Sequence, residues 1–318
     1  MRKENGKFIP VIVLKGKKMK RFILFVIGIS ITSMCTAFKW PHGAKSAVSI
    51  TADDGWWSET TEAQYLERYG WRGTFYLSGN LIDFYPQPQE LLERWKAIAS
   101  AGHELGNHTY SHASYCKAEE KYAVNNWKNV ADDISDQEKW LWSKIYGNNP
   151  ESSIKLPAHT FTMPYGIYFF GSTINTYQEK QVGVAEYAAC VSLFAPGARI
   201  ANFGAQNDPL KVARLRYLIN SENIDKISNL DPVVTANEAI DKGIQDNTWT
   251  VLTFHTLEGD KSCGYTVTDQ QYIEILDHLK SKGTDVWIAP VIEILNYIIQ
   301  NTPPESWGCT INEDGSPK

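Results

Sequence analysis

Predicted strands and helices alternate along the chain, and this alternation limits the fold more than any other feature. Short apolar runs predict strands at 47–50, 73–77, 104–106, 159–162, 187–192, 248–254 and 285–289. Segments with apolar residues at helical spacing lie between or after them, at 60–69, 90–101, 124–146, 235–244, 269–282 and 291–299. Strands that alternate with helices form largely parallel sheets, and seven such strands are enough to close a barrel. The predicted class is therefore α/β, with functional groups at the C-terminal ends of the strands.

The N-terminal segment has the pattern of a secretory signal peptide. A basic stretch at 15–21 precedes an apolar core at 22–31, and small residues follow at 35–37. The apolar core is too short to span a bilayer. We therefore expect a signal peptide at 1–37, with Met19 as an alternative start.

This leader sets the expected location and the domain limits. The protein is expected to be secreted or periplasmic. A lipoprotein anchored at Cys35 is the second interpretation, because Met34 stands where a small residue is expected. The remaining chain is divided into a barrel domain at 38–301 and a polar C-terminal tail at 302–318.

The net charge of the expected mature chain argues against two classes of partner. The complete chain has a formal charge of −5, and residues 1–37 contain eight Lys or Arg and one Glu, a net +7, so −12 remains after cleavage. Nucleic acids and anionic membranes attract basic surfaces. We therefore expect no nucleic-acid partner and no stable membrane insertion after leader cleavage, and a neutral or cationic partner is favoured.

Four cysteines remain after the leader, namely Cys116, Cys190, Cys263 and Cys309. In an oxidising compartment they permit up to two disulfides, and the sequence leaves three alternative pairings open. They lack the paired close spacing of a zinc knuckle, so a cysteine metal site is not expected.

Two pairs of polar side chains follow the first and the third predicted strand. Asp53 and Asp54 stand after the first strand, and His108 and His112 follow the third. On a helical turn, residues four apart face one way, so both imidazoles are expected to point to one side. Two histidines and one carboxylate form an open three-ligand site for zinc or a similar divalent ion. The second aspartate then stays free as a base.

Each pair alone is more often a surface feature, but the pairs belong to a longer ordered set. The set comprises Thr51-Ala-Asp-Asp-Gly55, His108-Thr-Tyr-Ser-His112, Phe161-Thr-Met-Pro-Tyr-Gly166 and Thr250-Val-Leu-Thr-Phe-His255. In this order the segments resemble the motifs of the polysaccharide deacetylase family, also called the NodB-homology group or carbohydrate esterase family 4. The strand at 73–77 is also similar to the family's second strand. The resemblance covers about residues 44–300.

The resemblance implies a fold and a metal site. The fold it implies is an irregular (β/α)7-8 barrel of the NodB type. Asp54, His108 and His112 would hold a divalent metal ion. Zn²⁺ is the ion expected first, with Co²⁺ or Ni²⁺ as alternatives.

The resemblance also implies catalytic and substrate-binding residues. Asp53 would be the general base and His255 the general acid, while the backbone N–H of Tyr165 would help to bind the oxyanion. The expected substrate-binding residues are Trp56, Trp57, Pro164 and Tyr165. One of the two tryptophans is expected to stack on a sugar ring and the other to turn inward.

The sequence departs from the family pattern in two places. Thr162 stands where the family usually has an arginine, two residues before Pro164, and that arginine normally orients the base. Either Asp53 is less well held, or another cation such as Arg199 substitutes. The family's Asp-x-x-Asp-Trp element is not identified. His159 is weighed as a residue at the edge of the site or as a buried structural residue.

The leading functional hypothesis is a secreted metal-dependent deacetylase that acts on an acetylated polysaccharide or oligosaccharide. The sequence leaves open whether the acetyl group is N-linked, as on chitin-like or peptidoglycan-like chains, or O-linked, as on acetylxylan. A non-catalytic glycan-binding protein on the same barrel is the alternative, and Thr162 is the feature that favours it. A metal-dependent amidase for a small molecule is the third hypothesis.

Overall fold

A parallel barrel organises the chain in the computed structural model, which describes residues 37–113, 127–147, 156–168, 185–201, 204–225 and 230–302. The strands are β1 Ser46–Asp54, β2 Thr74–Leu77, β3 Glu104–Asn107, β4 Phe161–Thr162, β5 Ala198–Ala201, β6 Gln206–Asn207, β7 Ile219–Asn223, β8 Trp249–Phe254, β9 Thr256–Leu257, β10 Thr266–Val267 and β11 Val286–Ile288. Seven of them are parallel neighbours in the order β1-β2-β3-β4-β5-β7-β8, and β8 pairs again with β1. The predicted α/β barrel is therefore confirmed.

Helices follow most of the strands. They are α1 Glu59–Arg68, α2 Gly79–Asp83, α3 Pro88–Ser100, α4 Trp127–Trp140, α5 at 185–191, α6 Pro209–Leu215, α7 Pro232–Asp246, α8 Asp269–Ser281 and α9 Val291–Asn301. Among the described residues, no helix is both long and apolar enough to span a bilayer. The predicted leader and most of the predicted tail lie outside the described residues.

Local signals fix several helix starts. Asp231 precedes α7, and its side chain accepts a hydrogen bond from Val233 N, while Pro232 occupies the first helical position. Thr268 and Gln271 form a reciprocal capping box at the start of α8.

Two strands of the barrel, β5 and β7, were not predicted from the sequence, and one predicted strand is wrong. Residues 187–192 were expected as a strand, but 185–191 form helix α5. Tyr187, Cys190 and Val191 are buried there at helical spacing, and a short apolar run does not distinguish a strand from a buried helix. The unpredicted strands β5 and β7 carry polar side chains, which hides them from a search for apolar runs.

The interior of the barrel is polar and hydrogen-bonded. Thr51 Oγ1 lies 3.0 Å from Thr253 Oγ1, and Tyr76 Oη lies 2.8 Å from Thr160 Oγ1. The apolar core lies mainly between the barrel wall and the helices, as in the cluster that joins Leu66 and other helix residues to the strands.

The two described cysteines are free thiols. Cys190 is buried and Cys263 is half-buried. Cys116 and Cys309 lie outside the described residues, so no pairing that involves them is tested. Cys190 and Cys263 are not bonded to each other in this structure, so of the three open pairings the one that joins them is wrong.

Candidate metal centre

Asp54, His108 and His112 converge on the C-terminal side of the barrel. The Nε2 atoms of His108 and His112 lie 3.4 and 3.0 Å from Asp54 Oδ1. One ligand atom from each residue lies within 4.8 Å of the others, and no other such group of His, Cys, Asp and Glu occurs among the described residues. The structure therefore brings the three predicted metal ligands together.

The donor set fits a zinc-like ion. Tetrahedral Zn²⁺ with bonds of about 2.0–2.2 Å separates neighbouring ligand atoms by about 3.3–3.5 Å, close to the two distances above. His108 Nδ1 donates to the carbonyl oxygen of Thr162 at 3.0 Å, which leaves Nε2 for the ion. Burial raises the pKa of Asp54, but hydrogen bonds and charge from His108 and His112 outweigh burial and hold that pKa well below 3.8. The carboxylate is therefore ionised at neutral pH.

The histidine pair lies on a loop, and the expectation of a helical turn is wrong. Residues 108–112 have no helical assignment, and Thr109 and His112 take left-handed conformations with φ of 59° and 50°. His112 N donates to Thr109 Oγ1 at 3.1 Å. Two left-handed residues fold the segment back on itself, so the two rings meet with centroids 4.9 Å apart.

Helix α4 holds this loop in place. Asp133, which is 2% exposed, accepts from Ser111 N at 2.8 Å and from Ser111 Oγ at 2.7 Å. Its backbone carbonyl accepts from Tyr110 N. Sequence reasoning missed Asp133, because nothing in a long amphipathic helix marks which acidic residue faces inward.

Asp54 itself stands on a tight turn after β1. Its φ is 91°, and that of Gly55 is 93°. The indole Nε1 of Trp56 donates to Asp54 Oδ2 at 2.9 Å, so the oxygen that faces the histidines is Oδ1. Left-handed residues around this pocket (Asp54, Thr109, His112 and Tyr165) make up four of the six non-glycine cases in the described chain, a pattern typical of functional sites.

A buried arginine holds Asp53. The Nη2 atom of Arg199 donates to Asp53 Oδ1, and Nη1 donates to Ser221 Oγ at 2.8 Å. The guanidinium is 0% exposed and lies 5.0 Å from the centroid of the Tyr76 ring. Of the two expectations raised by Thr162, the structure supports substitution by Arg199. The cation reaches the base from β5 rather than from the loop before Pro164.

His255 is oriented by an acidic residue that the sequence did not reveal. Its Nδ1 lies 3.0 Å from Asp225 Oδ1, and its backbone N donates to Asp225 Oδ2 at 2.6 Å. Burial lowers the pKa of His255, but the Asp225 carboxylate, with Asp53 and Asp54 behind it, raises that pKa to about 9. Asp225 follows β7, and a prediction of that strand would have placed it at the site.

The metal trio, Asp53 and His255 face one cavity of about 250 Å³. Trp56, Tyr165 and Cys263 also line it, and the Tyr165 ring packs 4.6 Å from the His112 ring. Pro164 is buried and is not among the lining residues. The role of the Tyr165 N–H stays a prediction.

Trp57 turns into a neighbouring groove of about 490 Å³. Its ring stacks with Tyr85 at 6.1 Å, and the Arg94 guanidinium lies 4.0 Å from its centroid. Trp57 is therefore half-buried between two side chains rather than packed inside the barrel, which corrects the expectation for the second tryptophan.

His159 does not line the metal cavity. Its Nε2 lies 2.9 Å from Glu138 Oε1, and Nδ1 contacts the carbonyl of Pro157 at 2.8 Å. Burial lowers the pKa of His159, but Glu138 outweighs it and raises that pKa to about 9. The structural interpretation of His159 is therefore the correct one.

Known proteins resemble this chain in sequence and in fold. Residues 41–181 match the family model described as polysaccharide deacetylase, a region that contains Asp53, Asp54 and the histidine pair and ends before Arg199 and His255. Over 86 residues the chain is 36% identical to peptidoglycan-N-acetylglucosamine deacetylase from Bacillus cereus. That alignment covers 26% of this chain and 29% of the relative.

One solved structure shares the fold, and another is reported for its similarity. A protein from Mycobacterium smegmatis, described as a candidate polysaccharide deacetylase, has a TM-score of 0.53 and 14% identity over 83% of this chain and 94% of its own. The Xyl-CE4 domain of a multidomain xylanase from the hindgut metagenome of Trinervitermes trinervoides has a TM-score of 0.48 and 17% identity, over 79% of this chain and 90% of that domain. The motif resemblance is thus confirmed by the match of residues 41–181 to the polysaccharide deacetylase family model.

Proposed function

We propose that this protein is a metal-dependent deacetylase that removes N- or O-linked acetyl groups from a polysaccharide. The observation that carries the proposal is the shared cavity, in which the Asp54–His108–His112 trio faces Asp53 and His255. The match of residues 41–181 to the polysaccharide deacetylase family model supports the reaction class. Zn²⁺ is the ion we expect first, with Co²⁺ or Ni²⁺ as alternatives.

The side chains divide the chemistry between them. A bound divalent ion supplies Lewis acidity, which polarises an acetyl carbonyl and makes water a better nucleophile at neutral pH. Asp53, which is paired with the Arg199 guanidinium, accepts the proton of the attacking water. His255, protonated at neutral pH because Asp225 raises its pKa to about 9, donates a proton to the departing amine or alkoxide.

The glycan-binding alternative loses its main support. It rested on the missing arginine before Pro164, and Arg199 supplies an equivalent buried cation to Asp53. A pocket that served binding alone would need neither a held base nor a held acid. The adjoining groove at Trp57 favours a substrate longer than one sugar over the small-molecule amidase.

Two further parts of the proposal concern the substrate and the location. The Bacillus cereus relative acts, by its name, on peptidoglycan N-acetylglucosamine, so an N-acetylated amino-sugar chain is the first substrate to test. The basic and apolar pattern of residues 1–37 supports secretion to the exterior or the periplasm.

The test separates metal binding from catalysis. Residues 38–318 are expressed, bound metal is measured, and acetate release is assayed from chitooligosaccharides, peptidoglycan fragments and acetylxylan. We expect His112→Ala to lose both the metal and the activity. Asp53→Asn should lose activity and keep the metal, because Asp53 points to Arg199 and not to the histidines. A wild-type protein that binds glycan and releases no acetate from any substrate contradicts the proposal.

A further inference from the structure

Glu59 is a buried carboxylic acid that the chemistry above does not use. It is the first residue of α1, and it is 0% exposed. Its Oε1 accepts two hydrogen bonds, from Gly55 N at 2.9 Å and from Trp56 N at 2.7 Å. Both amides belong to the turn that leaves β1 immediately after Asp54.

This turn needs an external support. Asp54 and Gly55 both have left-handed φ, and such a conformation is strained at a non-glycine residue. A Cβ at Gly55 would come within 2.8 Å of Ile82 Cδ1, so the chain passes close to α2 with no room to relax. Without Glu59, the two amides of the turn would lose their acceptor in a largely buried place, which is costly.

Trp56 connects this support to the metal ligand. Its backbone N–H is held by Glu59, and its indole N–H donates to Asp54 Oδ2 at 2.9 Å. The other oxygen, Oδ1, faces both histidine Nε2 atoms. A shift of the Trp56 backbone would therefore rotate the carboxylate and move Oδ1 away from the point that the three ligands share.

We propose that Glu59 is a positioning residue for the metal ligand Asp54, acting through the Trp56 backbone and indole. It touches neither the ion nor the substrate. The inference rests on the proposed metal site, and it adds a residue of α1 to the machinery that builds this site.

The charge of Glu59 is not what the role requires. Burial raises the pKa of Glu59 well above 4.5, and the neighbouring charges of Glu62 and Asp54 raise it further. A neutral acid and an amide present the same acceptor oxygen at the same distance from the main chain. Glu59→Gln should therefore keep the function, while shorter or apolar side chains should lose it.

The experiment measures Zn²⁺ affinity by chelator competition and the absorption spectrum of the Co²⁺-loaded protein. Glu59→Met keeps the size and removes the acceptor, and Glu59→Asp keeps the acid but withdraws it by one methylene. We expect both to weaken Zn²⁺ binding by about 10–100-fold, the usual effect of residues that orient metal ligands. Glu59→Gln should restore the wild-type affinity and spectrum. If Glu59→Met does not fold, the Zn²⁺ affinity of Glu59→Asp tests the proposal by itself.

Glu62→Met is the matched control for Glu59→Met. Glu62 is equally buried on the same helix, and its carboxylate makes no hydrogen bond among the described residues. A change that acts only through the packing of α1 would appear in Glu62→Met as well. We expect this variant to bind Zn²⁺ like the wild type.

A double-mutant cycle tests the route through Trp56. Trp56→Phe removes the indole donor, and its loss of affinity should not add to that of Glu59→Met, because both variants break one connection. Wild-type Zn²⁺ affinity in Glu59→Met and Glu59→Asp, or full additivity with Trp56→Phe, overturns the role of Glu59. An inactive wild type that binds Zn²⁺ overturns only the proposed reaction, since acetate release is not the readout here.

Discussion

Asp53 and Asp54, which are adjacent at the end of β1, have different side-chain partners. Asp53 faces the guanidinium of Arg199, whereas Asp54 faces the imidazoles of His108 and His112. The left-handed φ of Asp54 turns the chain between them, so the two carboxylates are not left to repel each other. In the proposed reaction, the same pair of residues supplies a metal ligand and a free base.

We expect Arg199→Lys to lower kcat by about 100-fold, the usual effect of displacing a catalytic group by 1 Å. A lysine keeps the charge but has one nitrogen, which cannot contact both Asp53 and Ser221 as the guanidinium does. Bound metal should stay at the wild-type level, because Arg199 does not touch the metal trio. Steady-state kinetics and metal analysis measure both quantities.

Ser221→Ala serves as the control, since it removes one contact of Arg199 and leaves the contact with Asp53. Its loss of kcat should be much smaller than that of Arg199→Lys. A lysine variant with wild-type kcat, or one without bound metal, would contradict this view of the base.

At the scale of elements, the site is assembled from strand ends, with support from helices α1 and α4 outside the barrel. β1 and β3 were predictable, because apolar strands there end in chemically distinctive residues. The supports were harder to predict. Arg199 was named as a candidate from its charge, but Asp225 was not found because β7 is polar from Asn220 to Asn223 and was not predicted as a strand.

The four-residue spacing of His108 and His112 led to the wrong prediction of a helical turn. Four-residue spacing fits a helical turn, but left-handed Thr109 and His112 bring the rings together on a loop. Single sequences do not reveal left-handed conformations at Thr or His. The loop's supports on α4 are distant in sequence and are equally hidden.

We expect Asp133→Ala to weaken Zn²⁺ binding by about tenfold or more, because the variant releases Ser111 from α4 and loosens the loop between the two histidines. Chelator competition measures the affinity. Asp132→Ala is the matched control on the same helix, where Asp132 contacts only Lys128 in the described chain. Equal affinities for the two variants would show that α4 does not position the ligands.

Over the whole molecule, a buried polar network connects the barrel wall with the histidine loop. Glu138 Oε1 accepts from His159 Nε2 at 2.9 Å and from Asn107 Nδ2 at 2.6 Å. Asn107 Oδ1 in turn accepts from Thr109 N. The ion pair of His159 with Glu138 therefore stabilises both the barrel wall and the base of the histidine loop.

This network predicts a pH dependence of stability. The pKa of His159 is raised to about 9 in the folded protein, above its ordinary 6.5. The contribution of protonated His159 to the free energy of unfolding is therefore complete below about pH 6.5 and is lost as the pH rises to about 9. We expect a loss on the order of 1–3 kcal/mol across this window, visible as a falling melting temperature.

His159→Gln isolates that contribution, because His255 also has a raised pKa and its titration remains in the variant. The melting temperature of His159→Gln should fall less than that of the wild type between pH 6.5 and 9. Parallel curves for the two proteins would rule out His159 as the source.

Strand β1 closes the barrel by pairing with β2 on one side and with β8 on the other. In the second pairing, Ala47 lies opposite Trp249, which is far away in the sequence. Such distant pairing forms late during folding. All three metal ligands come from the first part of the described chain, whereas Arg199 and His255 arrive with the later strands. We therefore expect a growing polypeptide to contain its three metal ligands before it contains Arg199 and His255. An incompletely synthesised chain would then be able to bind an ion but would not act on glycans.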